Sequence, residues 1–166
     1  MTAARQQRKP RRLIQLLLGI ALGGGIVTPP ASWAATDNQL AVNPGTGLAI
    51  SGFDPVAYFT EGKAIFGRPE VELNLDGAIW RFSNEGNRGA FAVHPEVYAP
   101  RFGGYDPVSI GRGRSVVGHP LIWVVVGQRL YLFYSEKNRA DFLADAGRII
   151  DTAERKWPAL ANSLGQ

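Results

Sequence analysis

His94 and His119 are the only histidines in the chain, and each is followed by proline. Imidazole is a common ligand for copper and zinc. A four-coordinate zinc site needs further ligands, for which Asp106 and Glu96 are the candidates. His94, His119 and Asp106 are therefore the metal-ligating set to test, with copper or zinc as the ion. Nothing in the linear spacing brings the two histidines together, and His-Pro also occurs in plain loops. There is no cysteine, so thiolate ligands, cysteine nucleophiles and disulfides are all excluded.

Asp54 and Asp106 are a second candidate pair, because each opens the tripeptide Asp-Pro-Val. Two carboxylates facing each other across a substrate can hydrolyse a glycosidic bond. Asp before Pro is also an ordinary way to cap a helix and fill its first position. Ser109, Ser115 and Ser135 lie in no Gly-x-Ser-x-Gly elbow. Gly111-Arg112-Gly113-Arg114 is a small basic loop that could meet an anion, but it lacks the full glycine pattern of a dinucleotide site. No catalytic set emerges, and the expectation is a non-enzymatic protein.

The first 34 of the 166 residues stand apart from the rest. Arg5, Arg8, Lys9, Arg11 and Arg12 precede an apolar run from Leu13 to Val27, and Ser32-Trp33-Ala34 offers small residues at a cleavage site. This is the three-part pattern of an export signal over 1–34. It implies a periplasmic or secreted protein, by the general or the twin-arginine route, with no stable membrane span after cleavage. The five basic residues of that segment are part of a total of 18 Lys and Arg, and the remaining 13 face 14 Asp and Glu. The mature chain is thus nearly neutral, which gives no electrostatic argument for nucleic acid.

The elements that must position these residues recur along the chain. Phe82–Phe91 reads FSNEGNRGAF, and Phe133–Phe142 reads FYSEKNRADF. Gly52-Phe53-Asp54-Pro55-Val56 likewise returns as Gly104-Tyr105-Asp106-Pro107-Val108. Two anchors at nearly the same offset imply a tandem duplication. In each copy Asp-Pro-Val predicts a short helical turn. A hairpin follows, with Asp76-Gly77 at the first turn and Gly127-Gln128 at the second. The unbroken run Leu121–Val126 predicts a strand covered on both faces, and hence central.

A helix then opens in the decapeptide. Asn84 and Ser135 are its N-caps, and Asn87 and Asn138 are placed to reach back as in a capping box. Glu85 and Glu136 pair with Arg88 and Arg139, while Phe91 and Phe142 turn inward. In the second copy the inward face continues through Ala146, Ile149, Ile150, Ala153 and Trp157. Gly147 is expected to weaken or split that helix, and Pro158 to end it. Tyr58 and Tyr105 are candidates to line a pocket between the copies.

Asp54-Pro55-Val56, the hairpin with its aromatic end, Phe82-Ser83-Asn84-Glu85, Asn87-Arg88, Phe91 and His94-Pro95-Glu96-Val97-Tyr98 together resemble the YHS domain. The stretch from Gly52 to Tyr105 is similar to the exported bacterial branch of that family, here in a cysteine-less form. The resemblance implies a small α+β module and a role in handling metal, copper in particular. Metal-handling members carry cysteine at positions that correspond here to Ala57, Ser83 and Asn87, and in the second copy to Ser109, Tyr134 and Asn138. Exported relatives often place a cysteine in the slot of Asp106 as well.

The resulting expectation is an α+β fold. Two tandem pseudo-repeats, each a short helical turn, a β-hairpin and a helix, form one compact antiparallel-sheet domain. The boundaries are an export signal at 1–34, a linker at 35–50, a first repeat at 51–102, a second at 103–160 and a tail at 161–166. The function expected is a binding module for an unidentified ligand or envelope protein, associated with metal through its family. The alternative is a degenerate fold acting as an interaction or scaffold domain of the cell envelope.

Overall fold

The computed structural model describes residues 39–165. The export signal expected over 1–34 lies outside the described residues. A 3-10 turn at Ile50–Gly52 leads to α1 (Ala57–Thr60), the hairpin β1 (Arg68–Leu75) and β2 (Ala78–Phe82), then α2 (Glu85–Val93) and α3 (Pro95–Tyr98). A second 3-10 turn, Arg101–Gly104, leads to α4 (Pro107–Gly111), the hairpin β3 (His119–Val126) and β4 (Arg129–Phe133), then α5 (Glu136–Ala144) and α6 (Ala146–Leu164). The α+β class is as the sequence implies. Among the described residues no helix is long and apolar enough to cross a membrane.

Both hairpins are antiparallel and close on two-residue turns with positive φ at each residue, Asp76 and Gly77 in one, Gly127 and Gln128 in the other. That geometry matches the right-handed twist of the flanking strands. Each hairpin also shifts register near the start of its first strand, between Arg68 and Glu72 and between His119 and Trp123. The strands form two separate two-stranded sheets, not the single antiparallel sheet expected. The free edge of β2 is already taken: Ala49 N–H donates to Ile79 O at 3.0 Å, and Ile79 N–H donates to Gly47 O at 2.9 Å.

Packing explains how two small sheets suffice. The first hairpin turns Val71, Leu73, Ala78, Trp80 and Phe82 into one apolar cluster and leaves the Glu72–Arg81 ion pair, 2.7 Å long, on its other face. The second hairpin is apolar on both faces. Trp123, Val125, Leu130 and Leu132 join the first cluster, whereas Ile122, Val124, Tyr131 and Phe133 join a second one with Phe142, Ile149 and Trp157. The unbroken apolar run thus marks a strand with partly buried side chains on both faces, but Leu121 stays exposed and β3, in a two-stranded sheet, is not the central strand expected. The covering layers are side chains of two cores rather than neighbouring strands.

Two expected boundaries move. Residues 39–50 are not a free linker, since Val42 bridges to Ala49, Leu48 bridges to Ile79, and Ala41 N–H donates to Gly103 O at 2.9 Å. This lead-in strap is anchored at Ile79 in one half of the chain and at Gly103 in the other. A Cβ at Gly103 would overlap the carbonyl of Gln39, so only glycine admits the strap there. Helix α6 runs through Pro158 to Leu164, past the expected stop. Pro158 lies on the exposed side of the helix. Trp157 and Ala161, one turn apart, are both buried in the second core. The break between α5 and α6 falls at Asp145, which caps α6 by accepting from Arg148 N–H at 3.3 Å, and not at Gly147.

Gly67 and Gly118 sit where each hairpin crosses its own return strand, and a Cβ at either would overlap Arg81 or Leu132 backbone. Gly67→Ala and Gly118→Ala should each lower the unfolding free energy by about 1–3 kcal/mol in urea titrations. Gly89 and Gly147 lie in helices with nothing near a Cβ. Gly89→Ala and Gly147→Ala should raise it by about 0.5–1 kcal/mol.

Candidate functional site

The most conspicuous polar groups in the molecule are two wholly buried carboxyls, Asp54 and Asp106, each 0% exposed. A buried polar group needs partners, and each of these has five hydrogen bonds donated to it. Asp54 Oδ1 accepts from the N–H groups of Val56 at 2.9 Å and Ala57 at 3.3 Å, at the start of α1. Its Oδ2 accepts from Ser83 N–H at 2.8 Å, Ser83 Oγ–H at 2.7 Å and Asn87 Nδ2–H at 2.7 Å. Asp106 Oδ1 accepts from Val108 N–H at 2.9 Å and Ser109 N–H at 3.4 Å. Its Oδ2 accepts from Ser109 Oγ–H at 3.2 Å, from Tyr134 N–H at 3.1 Å and from Asn138 Nδ2–H.

The capping expected of Asp-Pro-Val is therefore half of what these residues do. The second oxygen ties the helical turn to the junction between the hairpin and the following helix. Asn84 and Ser135 cap those helices as expected, accepting from Asn87 N–H at 2.9 Å and Asn138 N–H at 3.2 Å. The Glu85–Arg88 and Glu136–Arg139 pairs also form, each at 2.7 Å. The side-chain amides of Asn87 and Asn138 depart from expectation. They donate to the buried carboxyls, stronger acceptors than water, instead of reaching back to the cap. The only sequence signal for this was the recurrence of Asp-Pro-Val and Asn-Arg at matching offsets.

The two carboxyls do not form a hydrolytic pair, because each is sealed among its own donors. Tyr58 is buried beside Asp54, and its hydroxyl donates to Pro120 O at 2.9 Å, bridging α1 to β3. Burial, reinforced by the Asp54 carboxyl, pushes its phenol well above the usual value of 10.0. Burial likewise raises Tyr105 and Tyr131. Tyr58 stacks edge-on against Trp123 and Tyr105 packs on Trp157, so both serve cores instead of lining a pocket between the halves.

The expected metal set is not assembled. His94 is exposed at the junction of α2 and α3, with Nδ1 3.3 Å from Glu96 Oε1. His119 is exposed at the start of β3, and its Nδ1 accepts from Leu121 N–H at 3.2 Å. Asp106 is inside, with both oxygens engaged. Among the described residues no three His, Cys, Asp or Glu side chains gather so as to hold a metal ion. The donor set around Asp54 and Asp106 consists of hydroxyls, amides and backbone N–H groups, which suits neither copper nor a zinc site. The basic loop is also occupied: Arg112 reaches Asp141 at 3.1 Å, and Gly111 O accepts from Lys156 at 2.7 Å.

Comparison with protein-family models, with curated proteins and with solved structures finds no match for this chain.

Removing one acceptor strands several buried donors at once. Asp54→Ala and Asp106→Ala should each cost at least the roughly 1.5–3 kcal/mol of one hydrogen bond to a charged group, and Asn87→Ala or Asn138→Ala about that amount, as read by urea unfolding. The tyrosines set the alkaline limit. Their values are raised in the folded state, so their contribution is complete below the unfolded value of 10.0 and is lost as pH rises above it. Urea midpoints should fall on the alkaline side of that value, and absorbance titration should show delayed phenolate formation that is released by denaturant.

Proposed function

We propose that this chain is an exported, non-enzymatic module of the YHS type whose metal-handling positions have been given over to hydrogen bonding, and that it acts as a protein-interaction or scaffold domain of the cell envelope. The observation that carries this reading is the convergence of Ser83 and Asn87 on Asp54, and of Ser109, Tyr134 N–H and Asn138 on Asp106. By the resemblance these are slots for cysteine ligands. Here Ser83, Asn87, Ser109 and Asn138 donate side-chain protons to a carboxyl, and Tyr134 donates its backbone N–H.

The reading includes a tandem duplication. Several paired features support it beyond the sequence offsets. Each half begins with a turn in the left-handed region, at Ile50 and Ser51 and at Phe102 and Gly103. Each then places a bridge beside its aspartate, Phe53 with Phe66 and Tyr105 with Val117. Each follows with a crossing glycine, a shifted hairpin and a capped helix. Two clusters packed on opposite faces of the β3–β4 hairpin, in a chain without disulfides, suit a scaffold role.

The decisive measurement is titration of the purified protein with copper and with zinc. The expected outcome is no uptake above trace stoichiometry, with Tm unchanged by either metal or by chelator. Stoichiometric uptake that disappears in the His94→Ala, His119→Ala double variant would overturn the reading in favour of a metal-binding module.

A further inference from the structure

A cleft of about 260 Å³ lies where the lead-in strap meets both left-handed turns, lined by Ala41, Val42, Ile50, Ser51, Val117 and Leu132 among others. It is smaller than the roughly 300–1,000 Å³ of sites that take drug-sized ligands, so its natural content is one or two apolar side chains. No charged side chain lines it. Val42 and Val117 expose apolar side chains there, at 38% and 54%. Ile50 and Ser51, on the same wall, have φ of 39° and 54°. That conformation is costly for a β-branched residue, and such strain collects at binding sites.

The backbone at the two exposed valines is the more telling feature. Val117 bridges to Tyr105 through Gly118 N–H to Gly104 O and Asp106 N–H to Val116 O, both 2.9 Å. In that antiparallel pattern the bonds belong to the flanking residues, so the N–H and C=O of Val117 itself point away from Tyr105. Val42 stands in the same relation to Ala49, with the bond running from Asn43 N–H to Leu48 O at 3.0 Å. Among the described residues neither valine has a hydrogen-bond partner for these groups. The cleft is thus an uncharged seat, apolar apart from Asn43 and Ser51, with an unpaired edge at Val42 and another at Val117, which is the chemistry that recruits an extended peptide by strand addition.

We infer that this cleft binds a short, uncharged extended segment of a partner protein. The segment's backbone pairs with Val117 or Val42, and one apolar side chain rests on Leu132 over Gly104 and Gly118. This deepens the interaction-domain reading and rests on it. The two can fail separately: metal uptake would sink that reading, whereas a partner docking elsewhere would sink only this site.

The test uses a capped synthetic peptide of alternating threonine and valine, the same peptide N-methylated on alternate amides, and benzyl alcohol as a compact apolar control. Binding is followed by amide NMR of the purified protein. The expected result is saturable shifts centred on Val42, Gly104, Val117 and Gly118. Affinity should weaken about tenfold on N-methylation, the loss of roughly one hydrogen bond. Val117→Asp, a change at an exposed position, should abolish the shifts while leaving Tm near that of the parent. The inference is overturned by the absence of saturable shifts, by shifts mapping elsewhere, by equal binding of the N-methylated peptide, or by benzyl alcohol reproducing the response.

Discussion

A carboxyl taken wholly out of water has to be met by donors, and those donors have to be held in place. Asp54 and Asp106 impose this demand at two points, and the rest of the structure is arranged around meeting it. Each takes two backbone N–H groups from the helical turn it starts. Its other bonds include a backbone N–H and an asparagine amide from a helix entrance that lies beyond the hairpin in sequence. A helical turn of four or five residues, too short to persist alone, is thereby fastened to a hairpin and a longer helix. The hydroxyls of Ser83 and Ser109 complete the shells.

The apolar architecture follows from the same fastening. With α1 and α4 fixed, the β3–β4 hairpin can present a full face to each of two cores, and Tyr58 reaches across to the carbonyl of Pro120. The strap from Gln39 to Ala49 contacts both halves, at Gly103 and at Ile79. Stability is thus distributed over carboxyl clusters, a shared hairpin and a strap, in a chain without cysteine. The same commitment of donors weighs against a soft metal. In each cluster the hydroxyl, amide and carboxyl groups already hydrogen-bond to one another.

The parts of this fold that were legible in the sequence are those in which cause and effect lie within a few residues. Asn84 and Ser135 cap their helices, Asp76-Gly77 and Gly127-Gln128 close hairpins, and Glu85 and Glu136 find their arginines, because each depends on neighbours along the chain. Of the candidate metal set, the sequence supplied the residue types but not their surroundings. His94 and His119 are on the surface while Asp106 is sealed inside, and a linear spacing carries no record of depth.

What the sequence determined by itself, then, was a mixed helix and strand chain with helix starts, hairpin turns and an apolar run too continuous for a one-sided strand. Only the tertiary structure decided that this run separates two cores, that α6 continues through Pro158, that the lead-in is part of the body, and that both Asp-Pro-Val aspartates are hubs. The physical reason is common to all four. Each outcome is set by partners tens of residues away: the far core, the Phe102 and Tyr105 rings on which Trp157 packs, the bare backbone at Gly103, and the amides of Asn87 and Asn138. Local propensity is overruled when distant burial and hydrogen bonding contribute more than the local preference costs.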